Sequence, residues 1–301
     1  MLFKYLPARR IAVLDNFLIR FTQMSQLNDP FESAIILHAN DELKKLDPTS
    51  DFLEMVKKNG ISPTNDEESE FFQQALIDLE NYWKEKIDPC NIGRELISQL
   101  DLAQGVLSLS RTNSSLLMWA HYSDSHQGFV LGLDESHPFF REKDMRGRET
   151  SPKNVIYSST RNISKVDSED AYQHMLCHKS IEWSYEEEVR IFRTFGKSIS
   201  DFEKNKTDQV HLFKLPKECI KSVHIGANAS LELRENIKKL VLIRKLDVEI
   251  FEASISKDKY EINHSLILVD KINNFMVNYF YSVPTYRFPF SEIGFTSNFT
   301  K

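Results

Sequence analysis

Glu186, Glu188 and Arg190 fall on every second position of the stretch Trp183-Ser-Tyr-Glu-Glu-Glu-Val-Arg190. A β-strand sends alternate side chains to opposite faces. Read as a strand, this stretch groups Glu186, Glu188, Arg190 and Phe192 on one face and Glu187, Val189, Ile191 and Arg193 on the other. The Val/Ile face suits a core. The far face then carries two carboxylates that repel each other and a guanidinium that can hold them. Two readings follow: a solvated strand on which Arg190 pairs with Glu188, or a catalytic carboxylate tuned by a charged neighbour. A second stretch, Gly105 to Arg111, sets Val106, Ser108 and Ser110 opposite Leu107 and Leu109. Small hydroxyls on one strand and carboxylates on another can floor a cleft. A carboxylate bonded to a sugar hydroxyl stabilises an oxocarbenium-like transition state, so the pair suits cleavage at a sugar carbon. A sheet with one buried and one solvated face is the competing explanation.

The elements that position these residues are readable from periodicity. Residues 2–6 alternate as a strand, Ala8 to Asp15 forms a short helix, and Phe17 to Gln23 a second strand. In Leu27-Asn-Asp-Pro-Phe-Glu32, Asp29 suits an N-cap, Pro30 the first helical position and Glu32 a capping box, which predicts a helix start. Residues 40–104 are acidic and helical in pattern, with apolar positions at helical spacing from Glu70 to Lys86. They read as a helical insertion on which a protein partner can dock. Ser114 can cap a helix carrying Met118, Trp119, His121 and Tyr122. Strands follow at 129–133 and 155–157, then a helix at about 169–179 ahead of the Glu-rich strand. Further strands are expected at 209–215, 220–225 and 247–253, with a helix at 230–244 and an irregular, aromatic-rich remainder. Strands and helices mix without strict βαβ alternation, so the class is α+β. The expected organisation is one domain over 1–260 with the insertion at about 40–104, and an extension over 261–301 packed on it.

With 301 residues, the chain holds about two domains' worth at roughly 150 residues each, or one elaborated domain. The net charge of −6 and pI near 5.9 argue against a general nucleic-acid binder. The basic run Lys238-Lys239 to Arg244-Lys245 reads as a solvated helix face. Three dispersed cysteines imply neither a disulfide framework nor a zinc knuckle. There is no signal-peptide pattern and no window approaching the ~20 apolar residues of a membrane span. The expected compartment is the cytoplasm, with no membrane partner. GxGxxG and Walker A sequences are absent, as is GxSxG. His174 and His178 stand at i, i+4, with Cys177 between them and His121 and His126 upstream. This incomplete set leaves a metal-dependent hydrolase or nuclease as one alternative and a non-enzymatic partner-binding module as another, with His178 as a charged residue near a helix C-terminus in the second case.

A wider series then stands out. Phe3-Lys4-Tyr5, Leu27-Asn-Asp-Pro-Phe-Glu32, Leu107-Ser-Leu-Ser110, Met118-Trp-Ala-His-Tyr122 with His126-Gln-Gly128, Val155-Ile-Tyr157, and Lys179 followed by Trp183 to Arg190 occur in that order. The series resembles the bacterial domain-of-unknown-function family 2971 over nearly the whole chain to about residue 260, the 40–104 region excepted. No activity attaches to that family. More distantly, the order of a first strand, a Ser-x-Ser strand and a late Glu-x-Glu strand is similar to the ADP-ribosyltransferase superfamily, whose members cleave the nicotinamide–ribose bond of NAD. That similarity implies a mixed-sheet core of the ADP-ribosyltransferase type and NAD as substrate. It also implies a macromolecular acceptor, protein or nucleic acid, and use as a toxin or anti-phage effector. By the same similarity, Glu188 would be the catalytic glutamate on the ribose hydroxyl and Glu186 the carboxylate that orients the acceptor. Lys4 or Tyr5 would lie near the nicotinamide ribose, where Arg or His is usual, and Ser108 and Ser110 would support the pocket. Trp119, His121 and Tyr122 have no equivalent in that motif; on an aromatic helix near the cleft, His121 and Tyr122 could stack on the nicotinamide or fill the core. Asn28, Asp29, Trp119, Lys179, Trp183 and Arg190 would support the site, with Trp119 in the core and Arg190 as counter-charge. Glu187, on the opposite face, would be dispensable.

Overall fold

The computed structural model describes residues 1–32, 34–38, 46–141, 151–161, 163–165, 175–197, 199–201 and 210–267. In chain order the strands are β1 (Leu2–Leu6), β2 (Leu18–Phe21), β3 (Ile36–His38), β4 (Gln104–Ser110), β5 (Phe129–Leu133), β6 (Lys153–Asn154), β7 (Ile156–Ser158) and β8 (Ile163–Lys165). They continue as β9 (His178–Ser180), β10 (Glu188–Thr194), β11 (Ile199–Asp201), β12 (Val210–Lys214), β13 (Ile220–Ile225), β14 (Glu249–Ile255) and β15 (Ile262–Ile267). The α-helices are α1 (Val13–Asn16), α2 (Pro48–Lys58), α3 (Asp66–Lys86), α4 (Pro89–Ala103), α5 (Leu116–Tyr122) and α6 (Leu231–Ile243). The class is α+β.

Eight strands form the main sheet in the order β15-β14-β13-β5-β1-β4-β10-β6. Its pairings are antiparallel except β13 with β14. Smaller sheets are β11-β12-β2, β3-β8 and β7-β9. The sequence Phe-Val-Leu-Gly-Leu of β5 is buried at all five positions, as a central strand covered on both sides requires. One face of the main sheet packs Leu107, Leu109, Val189 and Ile191 into a core with Ile237 and Val241 of α6. The other face is also covered. Val106 and Phe192, opposite each other across β4 and β10, pack with Leu176 and with Ile97 of α4. Tyr5, Trp119 and Val130 form a third cluster.

Helices form where side chains supply a cap. Asp47, Asn65 and Asp88 accept backbone N–H groups at the heads of α2, α3 and α4, with Pro48 and Pro89 in the first turn. Ser115, one residue after the expected Ser114, caps α5. α3 contains no buried residue, so it stands on α2 and α4 as an acidic outwork.

Several expectations are overturned. Leu27–Glu32 makes a turn, not a helix start: the Asp29 carboxylate accepts from the Phe31 N–H at 2.9 Å, and Glu32 is drawn inward to other partners. Trp183 to Glu186 is a 3-10 turn capped by Ser180, and Glu187 takes a left-handed backbone (φ 43°), so the strand begins only at Glu188. His178–Ser180, expected at a helix end, is a strand paired with β7; Met175 and Leu176 are helical as expected, and residues 169–174 of that helix lie outside the described residues. Ala8 to Asp15 divides into a 3-10 turn and α1. Ile262–Ile267, expected to be irregular, adds an edge strand to the main sheet.

Gly128 sits where α5 hands over to β5, and a Cβ there would lie 2.1 Å from the Leu6 carbonyl oxygen of β1. Backbone cannot yield as a side chain can. Gly128→Ala is expected to lower the free energy of unfolding by about 1–3 kcal/mol, read from urea denaturation.

Candidate functional site

The end of β4 is stitched to the turn before β10. Ser110 Oγ donates to the Glu186 carbonyl at 2.6 Å and accepts from the Thr112 N–H at 3.1 Å, while the Arg111 N–H donates to the Glu187 carbonyl at 3.0 Å. The Glu188 N–H donates to the Tyr157 hydroxyl at 2.7 Å. These bonds hold Glu186 and Glu188 beside one another even though only Glu188 is in the strand.

Their carboxylates enter a buried network. Lys179 Nζ lies 2.6 Å from Glu186 Oε2, 3.4 Å from Glu188 Oε2 and 3.3 Å from Glu32 Oε1. Arg190 grips Glu188 with two nitrogens, Nε at 2.9 Å and Nη2 at 3.0 Å, pairs with Glu32 through Nη2, and donates from Nη1 to the Leu176 carbonyl. Tyr122 donates to Glu186 Oε1 and accepts from Asn28 Nδ2 at 2.8 Å. All five charged residues are at most 7% exposed. Three carboxylates therefore face two cations, one negative charge in excess.

Burial pushes the Glu188 carboxyl upward, opposed by Lys179 and the Ser108 hydroxyl. Burial also opposes the Lys179 charge, but Glu188 and Glu186 together outweigh it and the ammonium is held above its ordinary range. Burial lowers the Arg190 guanidinium to about 9, which leaves it charged at neutral pH, and Asp29 supports that charge. Burial and then the bond to Glu186 push the Tyr122 hydroxyl up, so it remains a donor.

β1 pairs with β4 only at Phe3 and Ser110, and β4 is bridged to Thr22 at Val106, so β1 and β4 splay apart. Lys4 reaches across to donate to the Ser108 carbonyl at 2.8 Å. Burial brings its ammonium down to about 8, against the pull of Glu188. Phe3 stands opposite Ser110, so alternation puts Tyr5 on the Ser108/Ser110 face and Lys4 on the other, from which Lys4 enters the splay; Tyr5 donates to the Thr112 carbonyl and meets Trp119 edge-on at 5.5 Å. Lys4 thus lies within electrostatic reach of Glu188 and Glu186, while Tyr5 packs on the network's face beside Tyr122 and Tyr185.

The structure thus gathers Glu186, Glu188, Lys179, Arg190, Tyr122, Asn28, Ser108, Ser110 and Lys4. Trp183 lies beneath the Lys179 ammonium, 4.8 Å from nitrogen to ring centre. Trp119 is fully buried and donates to the Asn113 carbonyl. His121 stacks on Tyr185 at 6.2 Å, outside the charge network. Glu187 is exposed. The expected solvated strand face is corrected: α4, Leu176 and the Glu32 turn cover it. Glu32 and Tyr157 carry site contacts that sequence reading did not assign. Glu32 had a complete local explanation as a helix cap, and only its place in the motif series pointed further. His178 lines a cavity of about 240 Å³ that reaches Glu32 and Lys179 but not Glu186 or Glu188. His174 lies outside the described residues, among which no group of three or more His, Cys, Asp or Glu side chains is arranged to hold a metal ion. No described helix is long and apolar enough to cross a membrane.

The lowered Lys4 sets a pH dependence. From about pH 8 to 10.5 the unfolded chain holds more protons at this position than the folded one, so stability rises with pH across that window. The stability of the native chain relative to Lys4→Met is expected to increase over the same range, measured by urea denaturation at a series of pH values.

No curated protein and no solved structure matches this chain. Residues 118–191, which run from Met118 in α5 through Tyr122, Lys179, Glu186 and Glu188 to Ile191, match the model of a family described as Protein of unknown function (DUF2971).

Proposed function

We propose that this chain is an NAD-consuming enzyme of the ADP-ribosyltransferase type. One observation carries the reading. Lys4, the Ser108/Ser110 pair and Glu188 lie on three strands adjacent in the order β1-β4-β10, with Glu188 directly opposite Ser110. Residues from distant parts of the sequence therefore meet at one end of one sheet.

In the proposed reaction Glu188 accepts a hydrogen bond from a hydroxyl of the nicotinamide ribose. Its charge stabilises the oxocarbenium that develops as the C1′–N bond breaks. The bonding pair leaves with nicotinamide, which becomes neutral. Glu186 receives the proton of the attacking nucleophile, a group on a macromolecule or water. Arg190 fixes the Glu188 carboxylate, and Tyr122 fixes Glu186. Ser110 acts as a positioning residue through the Glu186 carbonyl. Lys4 adds positive charge beside the ribose end. Substrate entry requires the Leu27–Glu32 turn to withdraw and Lys179 to release Glu188, because both cover the carboxylates in the structure. Modification of a cellular protein or nucleic acid, as by a toxin or anti-phage effector, is the use this chemistry suits.

A specific observation favours a second reading, a non-enzymatic binding module. The five charged residues saturate one another beneath the surface, as a structural hub would, and the acidic insertion exposes Phe71 and Tyr82. The metal-dependent alternative gains no support from the described residues.

Purified protein incubated with NAD and with protein, RNA and DNA acceptors separates these readings. The expected result is release of nicotinamide, reduced at least about 10²-fold in Glu188→Gln and unchanged in Glu187→Gln. Absence of turnover by the native chain with every acceptor would favour the binding module.

A further inference from the structure

The cavity beside the charge network has a chemistry of its own. It lies between the Phe31–Ile36 segment and the strands β7 and β9, with a volume of about 240 Å³. Ile35, Ile36 and Met175 make its body apolar. Its inner end is the Glu32–Lys179 pair, 3.3 Å apart. At its mouth stand the hydroxyls of Ser158 and Thr160, 3.2 Å from each other, and the guanidinium of Arg161, 5.7 Å from the centre of the Phe31 ring. Glu186, Glu188, Ser108 and Ser110 do not line it, so it is separate from the face proposed for NAD and shares only Lys179 and Glu32 with the network.

The sign of the ligand follows from which charges are already satisfied. The two oxygens of Glu32 are taken up by Lys179 and Arg190. Lys179 is shared among three carboxylates. Arg161 is exposed, and among the described residues it makes no ion pair. The uncommitted charge facing the cavity is therefore positive, flanked by hydroxyl donors. The size is decisive too. The volume falls just below the roughly 300–1,000 Å³ of drug-sized ligand sites, which excludes a dinucleotide and admits a single ring.

We propose that this cavity is a binding site for a compact organic anion, one apolar ring bearing one carboxylate-like group. The ring lies among Ile35, Ile36 and Met175, and the anionic group is held by Arg161 with the Ser158 and Thr160 hydroxyls. The ligand touches Lys179 and Glu32 at the inner end, so its occupancy reaches the network without entering the proposed NAD face.

Three single-ring probes of similar size and different charge test the sign and the place: benzoate, benzamide and benzylamine, titrated into the full chain by calorimetry and ligand-observed NMR. Benzoate is expected to bind most tightly and benzylamine least. Arg161→Gln is expected to weaken benzoate about tenfold, the loss of one charge-assisted bond at a partly open site, while leaving benzamide unchanged. Arg161→Lys should recover part of the loss. Arg161 is exposed, so an unaltered melting temperature is the expected control, and the probe series on the native chain stands without any variant. Benzylamine binding as well as benzoate, unchanged benzoate affinity in Arg161→Gln, or no benzoate binding at millimolar concentration would each overturn the proposal. NAD turnover plays no part in this readout, so failure here leaves the proposed reaction standing, and the reverse holds.

Discussion

Glu32, Glu186 and Glu188 lie together beneath the surface, and the cations within reach are Lys179 and Arg190. Taking ions out of water costs several kcal/mol each, and good geometry offsets that only when every group finds its partner. Deleting one partner from such a set typically costs about 3–5 kcal/mol, because it strands the charge left behind. The segments that supply the five residues are therefore bound to one another. Moving the Glu32 turn, the β9 strand, the 3-10 turn before β10 or β10 itself relative to the others breaks at least one of these ion pairs. Tyr122 and Asn28 tie the end of α5 to the same set. A buried network of this kind stabilises less than an apolar core of equal volume would, so its contribution is to fix geometry.

The sheet divides that task between its faces. Leu107, Leu109, Val189 and Ile191 face a core closed by α6, and the alternation of β4 and β10 leaves Ser108, Ser110, Glu188 and Arg190 on the other side. There the same alternation ends in Val106 and Phe192, which pack under α4. One strand face thus runs from apolar to charged along its length. The apolar end anchors it, and the charged end meets the splay between β1 and β4 where Lys4 enters. Short local devices set the details: the left-handed Glu187 turns the chain from the 3-10 segment into β10, and the Ser110 hydroxyl holds that turn from the neighbouring strand.

Much of this was legible in the sequence because alternation and turn chemistry are local. β4, β5, β12, β13, β14 and α6 lie where their periodicity predicts. Glu188, Glu186 and Arg190 were singled out from spacing, and they do meet. The failures share a cause, long-range partners outbidding local preference. Asp29-Pro30 carried a complete helix-start signal, yet Glu32 is held by Arg190 from 158 residues away. Trp183 to Glu186 alternated like a strand, yet the Lys179–Glu186 contact and the Ser180 cap favour a tight turn. The expectation of a solvated polar face failed because cover from α4 and the Glu32 turn is tertiary and leaves no mark in the strand itself.

A single account joins these features. Three strands bring a lysine, two serines and a glutamate to one sheet end, a network fixes the carboxylates there, and the Glu32 turn covers them, to withdraw for NAD in the proposed reaction. A crystal structure of Glu188→Gln soaked with NAD tests it most directly. The account predicts the nicotinamide ribose within hydrogen-bonding distance of residue 188, between β1 and β10, with Glu32 withdrawn from Arg190. NAD bound elsewhere, or excluded while Glu32 stays paired, would contradict it.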